Sequence, residues 1–147
     1  MKEIAIGQWI PLDSEKYDSD TVELNDGVEF HVFVSPYDLP EAVRGRHDPV
    51  KRRFVVEFKY IGEEPSEVSH VDEHVTFYIG KHSHRVQRIE ADVDGLGAEL
   101  VTLRLVPAID ALAKKLHSFS TPADNFRVTK AVLSDRKAEL MRELVGV

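Results

Sequence analysis

The stretch HVDEHVTFYIGKHSH, residues 70–84, carries four of the chain's seven histidines, and its first five residues place His70, Glu73 and His74 in the order His-x-x-Glu-His. The chain has no cysteine, so any transition-metal site must be built from imidazole and carboxylate. On a helix, residues four apart share a face. His70 and His74 would then hold one zinc ion while Glu73 acts as general base on a bound water.

Over those five residues the spacing resembles the zinc-binding helix of the inverzincins. The resemblance implies a small zinc-dependent hydrolase with Glu73 as the catalytic residue, His70 and His74 as ligands, and Glu139 or Glu143 standing in for the family's third ligand on a later helix. The residues that follow oppose it. Val75, Thr76, Phe77, Tyr78 and Ile79 are β-branched or aromatic, which predicts a strand from about residue 73 and sends the two imidazoles in different directions. His82 and His84 lie two apart and share a direction in an extended chain, so a neighbouring segment bringing His74 or His70 beside them would complete a three-histidine site. The preferred reading of residues 80–84 is a solvated polar turn.

The second chemical feature is RGRHDPVKRR, residues 44–53, with five cations against one acid in a chain of net charge −7. Arg44, Arg46, Arg52 and Arg53 are candidates for gripping an acidic partner or a phosphate, because guanidinium matches such groups in two hydrogen bonds. The plainer reading is a charged loop entering a strand and balancing nearby acids. The acidic total argues against nucleic acid as the main partner. Glu90, Asp92, Asp94 and Gly95 imitate the start of a calcium loop, but Val101 stands where a bidentate Glu is required, so a strand ending in an Asp-Gly turn is expected. No nucleophile elbow, phosphate loop or dinucleotide fingerprint occurs. Trp9 and Tyr17 are expected in the core or at its rim.

These residues must be positioned by a chain of 147 residues, 42% hydrophobic and 31% charged, long enough for one domain over 1–147. No apolar run is long enough for a membrane helix, and the opening residues carry no signal-peptide cleavage pattern, so a cytoplasmic location is expected. Ile4 to Ile10 alternates as a strand stopped by Pro11, Asp13 to Asp20 reads as a loop, and Asp26-Gly27 as a hairpin turn before a strand over 28–34. Asp38, Pro40 and Gly45 suggest a short helix over 35–45. The alternation Phe54, Val56, Phe58, Tyr60 is a clear strand. Residues 63–67 read as a loop, and 74–80 and 85–93 as strands around the turn at 80–84. Leu105, Ile109, Leu112, Ala113 and Leu116 form a helical stripe, with residues 98–106 open to either strand or helix. Residues 126–133 suggest a last strand, and Ser134 caps a closing helix bearing Ala138, Met141, Leu144 and Val145.

The expected fold is α+β: a mixed, mostly antiparallel twisted sheet of about six strands, with two main helices from the C-terminal third packed on one face. The expected function is a non-enzymatic protein-binding or regulatory module, working through a sheet face or edge and the Arg-rich segment, with a protein partner or by self-association and without a cofactor. The alternative is the zinc hydrolase.

Overall fold

The computed structural model describes residues 8–17, 19–23, 27, 29–33, 35–48, 50–71, 73–92, 98–115 and 123–145. Strands β1 (Ile10–Pro11), β4 (Ala42–Asp48), β5 (Arg53–Lys59), β6 (Ser66–His70), β7 (Val75–Gly80) and β8 (Val86–Asp92) form one sheet in the order β1-β4-β5-β8-β7-β6. A separate hairpin pairs β2 (Ser19–Glu23) with β3 (Glu29–Phe33). A single helical turn, α1 (Ser14–Tyr17), lies between β1 and β2, and three helices close the chain: α2 (Ala98–Lys115), α3 (Ala123–Asp135) and α4 (Lys137–Val145). The α+β class and the six-stranded sheet are as the sequence suggests.

Register divides the sheet into two faces. Val43, Gly45 and His47 stand opposite Phe58, Val56 and Phe54, which lie beside Ile89 and Ala91, and these beside Phe77 and Val75. The apolar members of that set meet Leu105, Ile109, Leu112, Phe126, Val132 and Leu140 from the helices in one buried cluster. Fully burying each such side chain contributes about 1.5–3 kcal/mol. The helices therefore cover one face only.

Several segments depart from expectation. Residues 35–45 hold no helix of one or two turns. Ser35 Oγ accepts the Tyr37 amide over a 3₁₀ turn at Pro36–Asp38, after which the chain enters β4. Gly45 is a strand residue, not a helix stop, and a Cβ there would meet Leu140 Cδ2 at 3.0 Å and Phe54 Cε2 at 3.1 Å. Its absence lets α4 approach the sheet closely. The expected loop at 13–20 contains α1 and the start of β2, and the loop at 63–67 contains the start of β6. Residues 98–106 are helical, with Pro107 at an exposed position inside α2.

Residues 126–133, expected as a strand, belong to α3: Asn125, Phe126, Val128, Thr129, Val132 and Leu133 are buried at helical spacing. Consequently every described pairing in the six-stranded sheet is antiparallel, and the return strand that would have made it mixed does not exist. Ser134 caps nothing. It lies in the last turn of α3, and the bonds Arg136 N–H to Val132 O (2.9 Å) and Leu140 N–H to Arg136 O (3.0 Å) carry helical bonding on into α4. The first expected strand is described only at its Ile10–Pro11 end, and residues 4–7, 93–97 and 116 lie outside the described residues.

A bulge near the start of β8 sets the position of α3. β7 and β8 shift register between Tyr78 and Ile79, and β5–β8 pairing ends at Glu57 opposite Arg88. Val86, fully buried, thus has no β5 partner for its main chain. Side chains replace it: the Val86 amide donates to Asn125 Oδ1 (2.9 Å), the Tyr60 hydroxyl donates to the Val86 carbonyl (2.7 Å), and Asn125 Nδ2 donates to the Tyr60 hydroxyl (2.8 Å). Buried main-chain groups require such partners. Asn125→Ala leaves the Val86 amide unpaired, and it is expected to lower stability by about 2–3 kcal/mol, read as a lower urea midpoint at unchanged m-value.

Candidate binding face

The face of the sheet away from the helices is built from charge. In β4 and β5, Arg44, Arg46, Arg53 and Glu57 point to it, and in β8 Arg88, Glu90 and Asp92 do so at every second residue. Antiparallel register brings opposite charges together. Arg44 Nε lies 3.2 Å and Arg46 Nε 2.7 Å from Glu57 Oε1, while Arg88 Nη2 lies 2.9 Å from Glu90 Oε2. Arg53 sits between Glu90 (3.9 Å) and Asp92 (3.3 Å). Two of these guanidiniums also cover aromatic rings, Arg44 over Trp9 and Arg88 over Tyr78, each at 4.4 Å from the ring centre.

Glu90 is only 2% exposed, although it lies on the uncovered face. Burial pushes its pKa up, but hydrogen bonds from Arg88 and Tyr78 and the nearby Arg88 and Lys51 charges outweigh that and hold the carboxyl below its usual range. Glu57 behaves alike: burial raises its pKa, and the bonds and charges of Arg46 and Arg44 lower it further than burial lifts it. Both are fixed anions that lock arginine side chains in place.

Beyond this ladder the bulged end of β8 turns away from β5 and a groove of about 590 Å³ opens, walled by Trp9, Glu57, Tyr60, Tyr78, Arg85 and Arg88. Arg85, 7% exposed, stacks on Tyr60 at 4.9 Å and is held by Ser83 Oγ (2.9 Å), Glu64 (3.7 Å) and the Tyr37 carbonyl. Tyr60 belongs to the Asn125 network, so this wall is tied directly to the helix layer.

The basic segment 44–53 is a strand, a turn and the start of a second strand. Arg44, Arg46 and Arg53 share the open face, each against a carboxylate. Arg52 does not join them; it lies exposed in the hairpin turn with φ of 55°, where Asp48 Oδ1 accepts the Val50 and Lys51 amides. The face also holds Glu57, Tyr78 and Arg88, which no motif marks, together with Trp9, expected at the core or its rim, and Glu90, which the sequence places in an imitation of a calcium loop. Arg88-x-Glu90-x-Asp92, alternating with Ile89 and Ala91, was the available signal.

The histidines are placed otherwise than a zinc helix needs. His70 ends β6, Glu73 and His74 lie in the bend that follows, and β7 begins at Val75. His70 Nδ1 is 3.3 Å from Thr76 Oγ1 and His74 Nδ1 is 3.6 Å from Asp92 Oδ2. His82 and His84 belong to the turn at the far end of β7, whose six residues span roughly 20 Å. His74 and His82 therefore sit at opposite ends of one strand, and the three-histidine arrangement does not form. Among the described residues no group of three or more His, Asp or Glu could hold a metal ion. Comparison of the chain with protein-family models, with curated proteins and with solved structures finds no match.

Two outcomes follow from this geometry. After exposure to zinc and desalting, elemental analysis should find no stoichiometric metal, whereas zinc that is present and then lost in His74→Ala would reverse the assignment. Glu57 and Glu90 have folded-state pKa values below the ordinary 4.5, so the stability they contribute is complete above that value and is lost as pH falls through the depressed ones. Glu90→Gln should cost about 1–3 kcal/mol at neutral pH, and the gap to the parent should narrow on going from about pH 5 to pH 3. A gap independent of pH in urea titrations would contradict the ladder.

Proposed function

We propose that the protein is a non-enzymatic binding module whose open sheet face receives a segment of a partner protein in the groove beside Trp9 and Tyr78. The observation that carries this reading is the groove itself, which pairs aromatic walls with guanidiniums already held in place by carboxylates. Preorganised aromatic and arginine side chains make good anchors because little side-chain entropy is lost when a ligand lands on them. Carboxylates and cations line the same groove, among them Glu57, Glu63, Lys59 and Arg88, so its chemistry suits a polypeptide of mixed charge rather than a polyanion. Arg44, Arg46 and Arg53 extend the surface along β4 and β5, and Arg52 adds a cation at the hairpin tip. No described cluster favours the hydrolytic alternative.

A library of displayed random peptides panned on the purified chain should enrich sequences that combine aromatic and charged residues. Trp9→Ala or Tyr78→Ala should weaken the enriched peptides about 10-fold or more, and Arg52→Ala with Arg53→Ala should reduce the salt dependence of binding. Absence of enrichment, or peptides that bind both aromatic variants as well as the parent, would sink this reading.

A further inference from the structure

Strand β6 ends the sheet, and among the described residues only β7 pairs with it. The Lys81 amide donates to the Pro65 carbonyl at 2.8 Å, which fixes the phase of the ladder: hydrogen-bonded pairs alternate with non-bonded ones in an antiparallel ribbon. Glu67 and Ser69 therefore turn their main-chain groups toward β7, and Ser66, Val68 and His70 turn theirs outward. The bond from Lys115 Nζ to the His70 carbonyl, 2.8 Å long, reaches that outer rim and agrees with the phase. Val68 is 53% exposed in the middle of the strand, with no proline, lysine or bulge within Ser66–His70 to discourage pairing.

We propose that β6 pairs antiparallel with β6 of a second copy of this chain, centred on Val68, so that two six-stranded sheets become one. With this centre the outward groups of Val68 meet those of Val68 in the second copy, and Ser66 meets His70 on either side of the two-fold axis. Glu67 then faces Ser69 of the second copy. Sliding the centre to Glu67 would set two like charges directly opposite each other, which is destabilising. The side chains of Val68, on the open face beside Tyr78, bury each other.

Charge selects the same occupant. Glu67 and Lys115 are both exposed, and neither makes an ion pair among the described residues. Glu67 projects to the helix side of the sheet, where Lys115 at the end of α2 already reaches the rim at His70. In the pairing centred on Val68, His70 stands opposite Ser66 of the second copy, one residue from its Glu67. Each Lys115 thus gains a carboxylate from the other chain, twice over by symmetry, while its carbonyl acceptor keeps a second lone pair for the Ser66 amide. The symmetry axis runs perpendicular to the sheet, so the two grooves lie on the same side of the joined sheet. The pairing does not depend on what the grooves bind.

Sedimentation velocity of the full chain, from about 1 µM to about 1 mM, tests this without any ligand. The parent should pass reversibly from monomer to dimer over that range, and added salt should weaken the dimer. Glu67→Lys and Lys115→Glu should each raise the dissociation constant about 10-fold or more, and the double exchange should return it to within a few-fold of the parent. Val68→Pro removes an outward amide that β7 does not use, so it should give a monomer with an unchanged circular dichroism spectrum. A parent that stays monomeric throughout, a dimer indifferent to Val68→Pro, or a double exchange as weak as its singles would overturn the proposal.

Discussion

The main-chain amide and carbonyl of Val86 are the groups on which the arrangement of this protein depends. They are buried where β8 has parted from β5, and a strand that loses its neighbour must find other partners for them or unfold locally. Asn125 and Tyr60 supply those partners in a closed ring of three hydrogen bonds. One side chain comes from the start of α3 and the other from just past the end of β5. The ring therefore fixes the helix layer against the sheet at a single point of specific geometry, while the apolar contacts around it are tolerant of small shifts.

The same divergence creates the groove. While β8 runs beside β5, Arg88 and Glu90 belong to a ladder of paired charges; where it swings away, Tyr60 and the buried Arg85 wall the groove. The ladder itself adds little net charge to the face. Its effect is mechanical: the half-buried Glu57 and the buried Glu90 hold four guanidiniums in fixed directions, and two of these sit over the rings of Trp9 and Tyr78. A flexible arginine would have to be ordered by its ligand, and these are ordered beforehand.

How much of this was legible in the sequence varies by residue. The alternation of Phe54, Val56 and Phe58 gave β5, and the stripe Leu105, Ile109, Leu112 gave the body of α2, because each buries one face at one clear period. α3 reads as a strand in sequence because Phe126 and Val128 satisfy alternation while Thr129, polar yet fully buried, interrupts the helical stripe; its hydroxyl bonds the Asn125 carbonyl one turn earlier, which removes the cost of burying it. β6 carries little signal in sequence because SEVSH is an edge strand in which only Ser69 is buried. For the open face, the arginines at 44, 46 and 53 were visible, but their carboxylates were not. Glu57 meets Arg44 and Arg46, and Glu90 meets Arg53, only through register, which local sequence does not encode.

The strand order β1-β4-β5-β8-β7-β6 also has a kinetic meaning. β4 with β5, and β6 with β7 and β8, are ribbons whose strands follow one another in the chain, so each can zip from its own turn with little loss of loop entropy. The seam between β5 and β8 is different, because it closes over the whole β6–β7 hairpin. Until it closes, the chain consists of two ribbons with bare inner edges, and this unsealed stage is where misregistration and chain-to-chain capture have their opening. Across that seam Arg53 stands opposite Asp92 and Glu57 opposite Arg88 on the open face, while Phe54 with Ala91 and Val56 with Ile89 pack on the helix face, so a slip of register would disturb charge and core together.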